Sequence, residues 1–307
     1  MITITTIDEM RAWCDGTRRA GRRVGLVPTM GYFHEGHVSL MRAARDAGDA
    51  VVVSIFVNPL QLGPSEDLAR YPRDLERDGA MADDVGVDAL FVPSVDEMYP
   101  RAPLTTVHVA ALTDGLCGAS RPTHFDGVTT VVTKLFSIMG PCRAYFGRKD
   151  FQQLATVRRM TTDLNLPVEV VGCPLVREAD GVAMSSRNAN LDARERVAAR
   201  VLVDALRHGL DVVRAGERDA AELRRVLSAR VDAEPLATLD YAEVVDAEDL
   251  TPLARLDDGR EVLVAVAARM GKTRLIDNVT LIVDGDDVRA DPGVTSQPMG
   301  RTPCAGR

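Results

Sequence analysis

Two histidines three positions apart, His34 and His37, are the first side chains in the sequence whose placement suits chemistry. They lie in Val27-Pro28-Thr29-Met30-Gly31-Tyr32-Phe33-His34-Glu35-Gly36-His37, where an apolar run stops at Pro28 and a helical pattern begins near Gly36. A helix start carries unpaired N–H groups and a partial positive charge. It therefore suits an anion such as phosphate, and the imidazoles add side-chain donors. The same spacing could place both rings on a metal, since residues three apart share a helix face. No third Cys, His or carboxylate follows at ligand spacing, which disfavours that alternative.

A second strand-to-helix turn, Tyr145-Phe146-Gly147-Arg148-Lys149-Asp150, has the same character. Gly147 lets the backbone approach a ligand, and Lys149 meets phosphate as a point charge. Asp150 either accepts from ribose hydroxyls or caps the next helix. Gln152 and Gln153 follow, and adjacent helix residues face different ways, so at most one points into a site. Gln61, just past Asn58-Pro59-Leu60, offers a neutral amide to a carboxylate or hydroxyl; its plain alternative is a loop glutamine. Met184-Ser185-Ser186-Arg187-Asn188 brings two hydroxyls and a guanidinium that can clamp a polyphosphate, or simply cap a helix. His124 either lines the site or is structural. No Walker loop, Gly-x-Gly-x-x-Gly or Gly-x-Ser-x-Gly occurs. Positioning of two substrates plus charge stabilisation fits better than a protein nucleophile.

The elements that must hold these residues alternate. A capping box at Thr6–Glu9 opens a helix, and strands are predicted at 24–27, 50–57, 88–92, 105–109, 143–146 and 168–171. Helices are predicted to about residue 47 after the His motif, and over 72–85, 125–139 and 151–164. Ala50 to Val57 is a continuous β-branched run, suited to a parallel strand buried on both faces. The pattern is α/β: a Rossmann-like doubly wound parallel sheet over residues 1–174. The turns after Val27, Val57 and Phe146 should meet where strand order reverses. Beyond a hinge at 173–177, helices at 191–214 and 220–231 precede strands at 239–245, 262–268 and 273–283, a second, smaller α+β domain over 175–284. Residues 285–307, rich in Gly, Pro, Asp and Ser, are expected to be disordered.

Composition narrows the function classes. The 307 residues carry a net charge of −8, against a nucleic-acid or anionic-membrane partner, and 4% aromatics leave little surface for stacking bases. The five scattered cysteines read as reduced, mostly buried thiols of a cytoplasmic protein. Neither a signal peptide nor an apolar run approaching ~18 residues is expected.

Taken together, these motifs resemble the pantoate–β-alanine ligase family, within the His-x-Gly-His nucleotidyltransferase superfamily. The resembling segments are 27–40, 54–61 with Glu66-Asp67 and Tyr71-Pro72-Arg73, 121–136, 145–154, 176–188, and Arg274-Leu275-Ile276-Asp277-Asn278, in order. The resemblance implies a two-step reaction: pantoate and Mg²⁺-ATP form pantoyl-adenylate, then the β-alanine amine displaces AMP. It makes His34 and His37 triphosphate contacts, with His37 the proton donor, and makes Lys149 a contact of the transferring phosphate. Met30, Gly31, Tyr32, Phe33, Glu35 and Gly36 join them in the ATP site, with Gly147, Arg148, Asp150, Val176, Met184, Ser185, Ser186 and Arg187. Gln61 and Gln153 would hold pantoate, and Gln61 β-alanine too. The ligands of Mg²⁺ stay open, and a homodimer is implied. Three positions depart from the family pattern: Arg148 replaces a common Glu or Gln, Leu62 a common Phe, and Arg77 an acidic residue of some relatives. Two other readings stay open at this point, a nucleotidyltransferase acting on a phosphorylated alcohol and a non-catalytic nucleotide binder.

Overall fold

A computed structural model describes residues 1–62 and 71–296 of the chain. The first half runs β1 (Ile2–Ile4), α1 (Ile7–Arg19), β2 (Val24–Thr29), α2 (Glu35–Asp46), β3 (Ala50–Ile55), α3 (Leu75–Val85), β4 (Ala89–Phe91) and the single turns α4 (Val95–Met98) and α5 (Cys117–Ser120). It continues with α6 (His124–Met139), β5 (Cys142–Gly147), α7 (Phe151–Asp163) and β6 (Val168–Cys173). The six strands form one parallel sheet in the order β1-β4-β3-β2-β5-β6. Val51, Val52 and Val53 of β3 are fully buried, as a strand covered on both faces requires. Met10, Val132, Phe136 and Leu154 from α1, α6 and α7 pack on one face; Leu40, Met41 and Ala82 from α2 and α3 pack on the other. Strand order reverses between β2 and β5, which opens a crevice at their carboxyl ends.

The second half contains β7 (Val176–Arg177), α8 (Ala193–Ala198), α9 (Val201–Arg214), α10 (Ala220–Asp232), β8 (Ala237–Asp246), β9 (Glu261–Met270), β10 (Thr273–Asp284), β11 (Asp287–Asp291) and β12 (Val294–Thr295). Strands β8 to β11 make an antiparallel sheet, and α9 and α10 bury Leu206, Leu210, Leu223 and Leu227 against one face of it. On the other face Val245, Leu263 and Ala265 pack against Phe151 of α7, so an apolar contact joins the two halves. No described helix is long and apolar enough to cross a membrane. Cys14, Cys117, Cys142 and Cys173 are buried free thiols.

Several expectations are corrected. Residues 105–109 form no strand: the Val107 N–H donates to Thr130 Oγ1, and its carbonyl accepts from Thr129, so α6 hydroxyls replace a ladder. The helix expected over 191–214 is split into α8 and α9. Residues 285–296 are not disordered. β11 pairs with β10 from Asp284↔Asp287 to Thr280↔Asp291, and β12 lies parallel to β7. An exposed edge strand needs no apolar run, which is why composition alone misreads this stretch. β1, a three-residue edge strand, is too short to show a period. Gly63-Pro64-Ser65, Glu66-Asp67 and 297–307 lie outside the described residues.

Candidate active site

The turn after β2 is shaped by an aspartate on α3. Gly31 holds φ +83°, and Tyr32 follows at φ +54°, a left-handed conformation that costs a non-glycine residue about 1–3 kcal/mol. Asp78 holds the turn in place: its Oδ2 accepts the Tyr32 N–H at 2.6 Å and its Oδ1 the Phe33 N–H at 2.7 Å. A Cβ on Gly31 would sit 3.0 Å from that carboxylate. Phe33, 1% exposed, anchors the turn in the core, worth about 1.5–3 kcal/mol. His34 then caps α2, its Nδ1 accepting the Gly36 N–H at 3.1 Å. His37 Nδ1 accepts the His34 N–H at 3.3 Å, and the rings lie 4.1 Å apart.

Those bonds decide what the histidines can do. Burial, helped by Lys149 and Arg77, lowers the pKa of His34 to about 4. Burial, followed by His34 and Lys149, outweighs Asp150 and holds His37 well below the ordinary imidazole range. Both rings are therefore neutral at pH 7. Because each Nδ1 accepts a backbone N–H, each ring carries its hydrogen on Nε2. The pair presents two neutral N–H donors, not two cations.

The turn after β5 brings the charge. Lys149 Nζ lies 3.7 Å from Asp150 Oδ1. Burial opposes ionisation of Asp150, but Lys149, Arg187, His124 and Arg121 together outweigh it and hold its carboxyl below the usual range. Asp150 makes no side-chain cap bond to α7. From β10, Asn278 Nδ2 donates to the carbonyls of Arg148 at 3.1 Å and Lys149 at 2.8 Å. Past β3, buried Asn58 donates to Gln61 Oε1 at 3.2 Å and to the Gly127 carbonyl at 3.0 Å, which orients the Gln61 amide. His124 Nδ1 meets the Gln61 carbonyl at 2.8 Å, and its Nε2 meets Arg121 at 2.8 Å.

These turns converge on one solvent-open cleft. Met30, His34, Gly36, His37, Gln61, Gly147, Lys149, Asp150 and Gln153 line it from the first half. Val176, Met184, Ser185, Ser186 and Arg187 line it from the second. Gln152, by contrast, is buried and bonded to the Leu112 and Gly115 carbonyls and the Cys117 N–H.

Five nominated residues do not line the cleft. Gly31, Tyr32 and Phe33 form the turn behind it, and Glu35 pairs with Arg42. Arg148 is the larger correction: its guanidinium turns away to Asp291 at 3.0 Å, with Glu261 at 4.0 Å. Sequence reasoning, in turn, gave no role to Asp78, Asn58 and Tyr71. Tyr71 lines the cleft and hydrogen-bonds Ser186, and burial raises its hydroxyl pKa.

The comparisons with known proteins agree with this fold. Residues 2–280 match the family model for pantoate-beta-alanine ligase. The chain belongs to the pantoate–β-alanine ligase family. It is 58% identical over 283 residues to a pantothenate synthetase from Heliobacterium modesticaldum, covering 92% of this chain and all of that one. A pantothenate synthetase from Moorella thermoacetica is 54% identical over 284 residues, again 92% of this chain and all of the relative. The crystal structure of pantothenate synthetase from Thermus thermophilus superposes with a TM-score of 0.84 at 48% identity, covering 91% of this chain and 98% of that one. Pantoate–β-alanine ligase from Francisella tularensis, solved with βγ-ATP and β-alanine, gives 0.74 at 32% identity, covering 91% and 97%. The chain is thus an enzyme, a ligase of pantothenate biosynthesis.

Proposed function

We propose that the cleft condenses pantoate with β-alanine in two steps at the expense of ATP. In the first, a pantoate carboxylate oxygen attacks the α-phosphorus of ATP; an O–P bond forms, the α–β bridge breaks, and pyrophosphate leaves. In the second, the β-alanine amine attacks the acyl carbon of pantoyl-adenylate. The C–N bond forms, AMP departs with the acyl–oxygen bond pair, and the amine loses a proton.

One observation carries the reading. Three cations, Arg121, Lys149 and Arg187, two neutral imidazole donors and two neutral amides, Gln61 and Gln153, share one cleft at the strand-order switch. Attack by one anion on another requires charge to be cancelled where it develops. Lys149 faces the transferring phosphate, and His34 and His37 donate Nε2–H hydrogen bonds to the triphosphate; with its ring neutral, His37 serves there as a hydrogen-bond donor rather than as the proton donor that the family resemblance implies. Gly36, Met30, Gly147 and Asp150 border phosphate and ribose, and Val176 borders the base. Gln61 and Gln153 hold pantoate, and Gln61 also meets β-alanine; neutral amides suit an acceptor that carries a carboxylate and hydroxyls rather than a second phosphate. Mg²⁺ arrives with ATP and supplies charge neutralisation. No cluster of three His, Cys, Asp or Glu ligands exists among the described residues, and Asp150 is the carboxylate bordering the cleft. That donor set fits a Mg²⁺ held largely by phosphate and water. Residues 175–284 act as a lid carrying Met184 to Arg187 over the phosphates, which keeps the acyl-adenylate from water. The enzyme works as a cytoplasmic homodimer.

The test is AMP formation from ATP, pantoate and Mg²⁺, with β-alanine added or withheld. AMP release requiring both pantoate and β-alanine is expected. His37→Ala and Lys149→Ala are expected to fold and to lose at least about a hundredfold in pantoate-dependent pyrophosphate release. Near-normal turnover in both variants would remove the proposed roles.

A further inference from the structure

The family match ends at residue 280, before β11 and β12 begin. These two strands nevertheless reach both walls of the cleft. β12 lies parallel to β7 with Val294 opposite Val176, and the Val294 N–H donates to the Leu175 carbonyl at 2.7 Å. The Ser296 N–H donates to the Arg177 carbonyl at 2.8 Å. Leu175 and Val176 line the cleft. Just before β12, the Pro292 carbonyl accepts from Arg177 Nε at 2.5 Å. Gly293 packs so closely that a Cβ there would sit 2.4 Å from the Leu175 carbonyl oxygen. At the end of β11, Asp291 takes the Arg148 guanidinium at 3.0 Å and also accepts the Gly293 N–H at 3.0 Å.

One short segment therefore grips two backbone stretches that the sheet topology leaves far apart in sequence. One is β7, whose inner side borders the cleft. The other is the Gly147–Asp150 turn, which carries Lys149. Asn278 already ties the carbonyls of that turn to β10. Asp291 adds a side-chain hold on the residue beside Lys149 and, through Gly293, joins it to β7. Preorganised walls reduce what a ligand must order on binding.

We infer that residues 287–296 are a strap that sets the two nucleotide-facing walls of the cleft, with Asp291 a positioning residue for ATP acting through Arg148. This rests on the nucleotide reading of the cleft proposed above. Asp291 does not line the cleft; it works by holding the Arg148 side chain next to Lys149. The strap bears on ATP rather than on pantoate, because its bonds go to Leu175, Arg177 and Arg148 and not to Gln61 or Gln153.

The experiment uses the full chain and three variants: Asp291→Arg, Val294→Pro, and the charge swap Arg148→Asp/Asp291→Arg. Asp291→Arg sets two cations against each other, and Val294→Pro removes the N–H that meets Leu175. For each single variant the KM for ATP is expected to rise about threefold to tenfold, with kcat and the KM for pantoate within about twofold. Amide hydrogen exchange should quicken at 147–150 in Asp291→Arg and at 175–177 in Val294→Pro. The charge swap should recover most of the loss in ATP KM. Unchanged ATP KM and exchange in both single variants would overturn the strap. So would a parallel rise in the KM of all three substrates, which a merely structural role produces. Calorimetry with a non-hydrolysable ATP analogue separates the two readings. Binding that is equal in the unaltered protein and both single variants sinks the strap alone; no binding by the unaltered protein sinks the nucleotide reading and the strap with it.

Discussion

A residue's charge in this site is decided by what its backbone neighbours do to it. A His-x-x-His pair at a helix start reads in sequence as two side-chain donors for phosphate. In the folded chain burial and two backbone N–H bonds make both rings neutral donors, and positive charge is left to Arg121, Lys149 and Arg187. This has a consequence for stability. The unfolded chain takes up protons on these rings near pH 6.5, whereas folded His34 does so only near 4 and folded His37 well below the ordinary imidazole range. Between those values the unfolded state binds more protons, so stability falls as pH drops from about 6.5 to 4. The variant His34→Gln/His37→Gln should show a shallower loss across that window in urea titrations at successive pH values. An unchanged slope would mean that the rings titrate normally in the fold.

At the scale of elements, β7 is locked to β10 by a buried ion pair. Arg177 Nη1 meets Asp277 Oδ2 at 2.7 Å and Nη2 meets Oδ1 at 3.0 Å, with carbonyls of Gly181, Asn278 and Pro292 taking further donors. Burial raises the Asp277 carboxyl in pKa even against Arg177, so the pair is dearly desolvated. Removing one partner strands the other: Asp277→Ala is expected to cost about 3–5 kcal/mol of unfolding free energy. Arg177→Met/Asp277→Leu should cost less than Asp277→Ala alone, because no charge is left buried. A double variant as unstable as the single would locate the stabilisation in the surrounding carbonyl bonds instead.

The whole molecule is two cores that share a cleft. The halves meet through Phe151 against β8 and β9, through Asn278 on the Lys149 turn, and through Ser120 on Asp240. A ligand held by both halves should stabilise them together. A non-hydrolysable ATP analogue at about 100 times its Kd is expected to add about 2.7 kcal/mol. Hydrogen exchange should then slow at His34–His37 and at Ser185–Arg187 alike. Protection confined to the first half would mean that the second does not close on the nucleotide.

How much of this was legible follows from range. The turns carrying His34, His37, Lys149 and Gln153 could be read because each follows a short apolar run and is marked by Pro or Gly. A local period and a local breaker are enough to place a strand-to-helix turn. Asp78 was not legible, since what makes it matter is a turn 45 residues earlier in the chain. Arg148 was misplaced for the same reason: its partner, Asp291, lies 143 residues away, in a stretch whose composition looks like a disordered tail. The chain by itself determined the alternation of strands and helices, the neutral amides and the cations at strand ends, because these depend on neighbours a few residues apart. Only the tertiary structure decided which of those groups share the cleft, which protonation state they hold and what fixes the walls, because desolvation and long-range pairing exist only once distant segments are packed together.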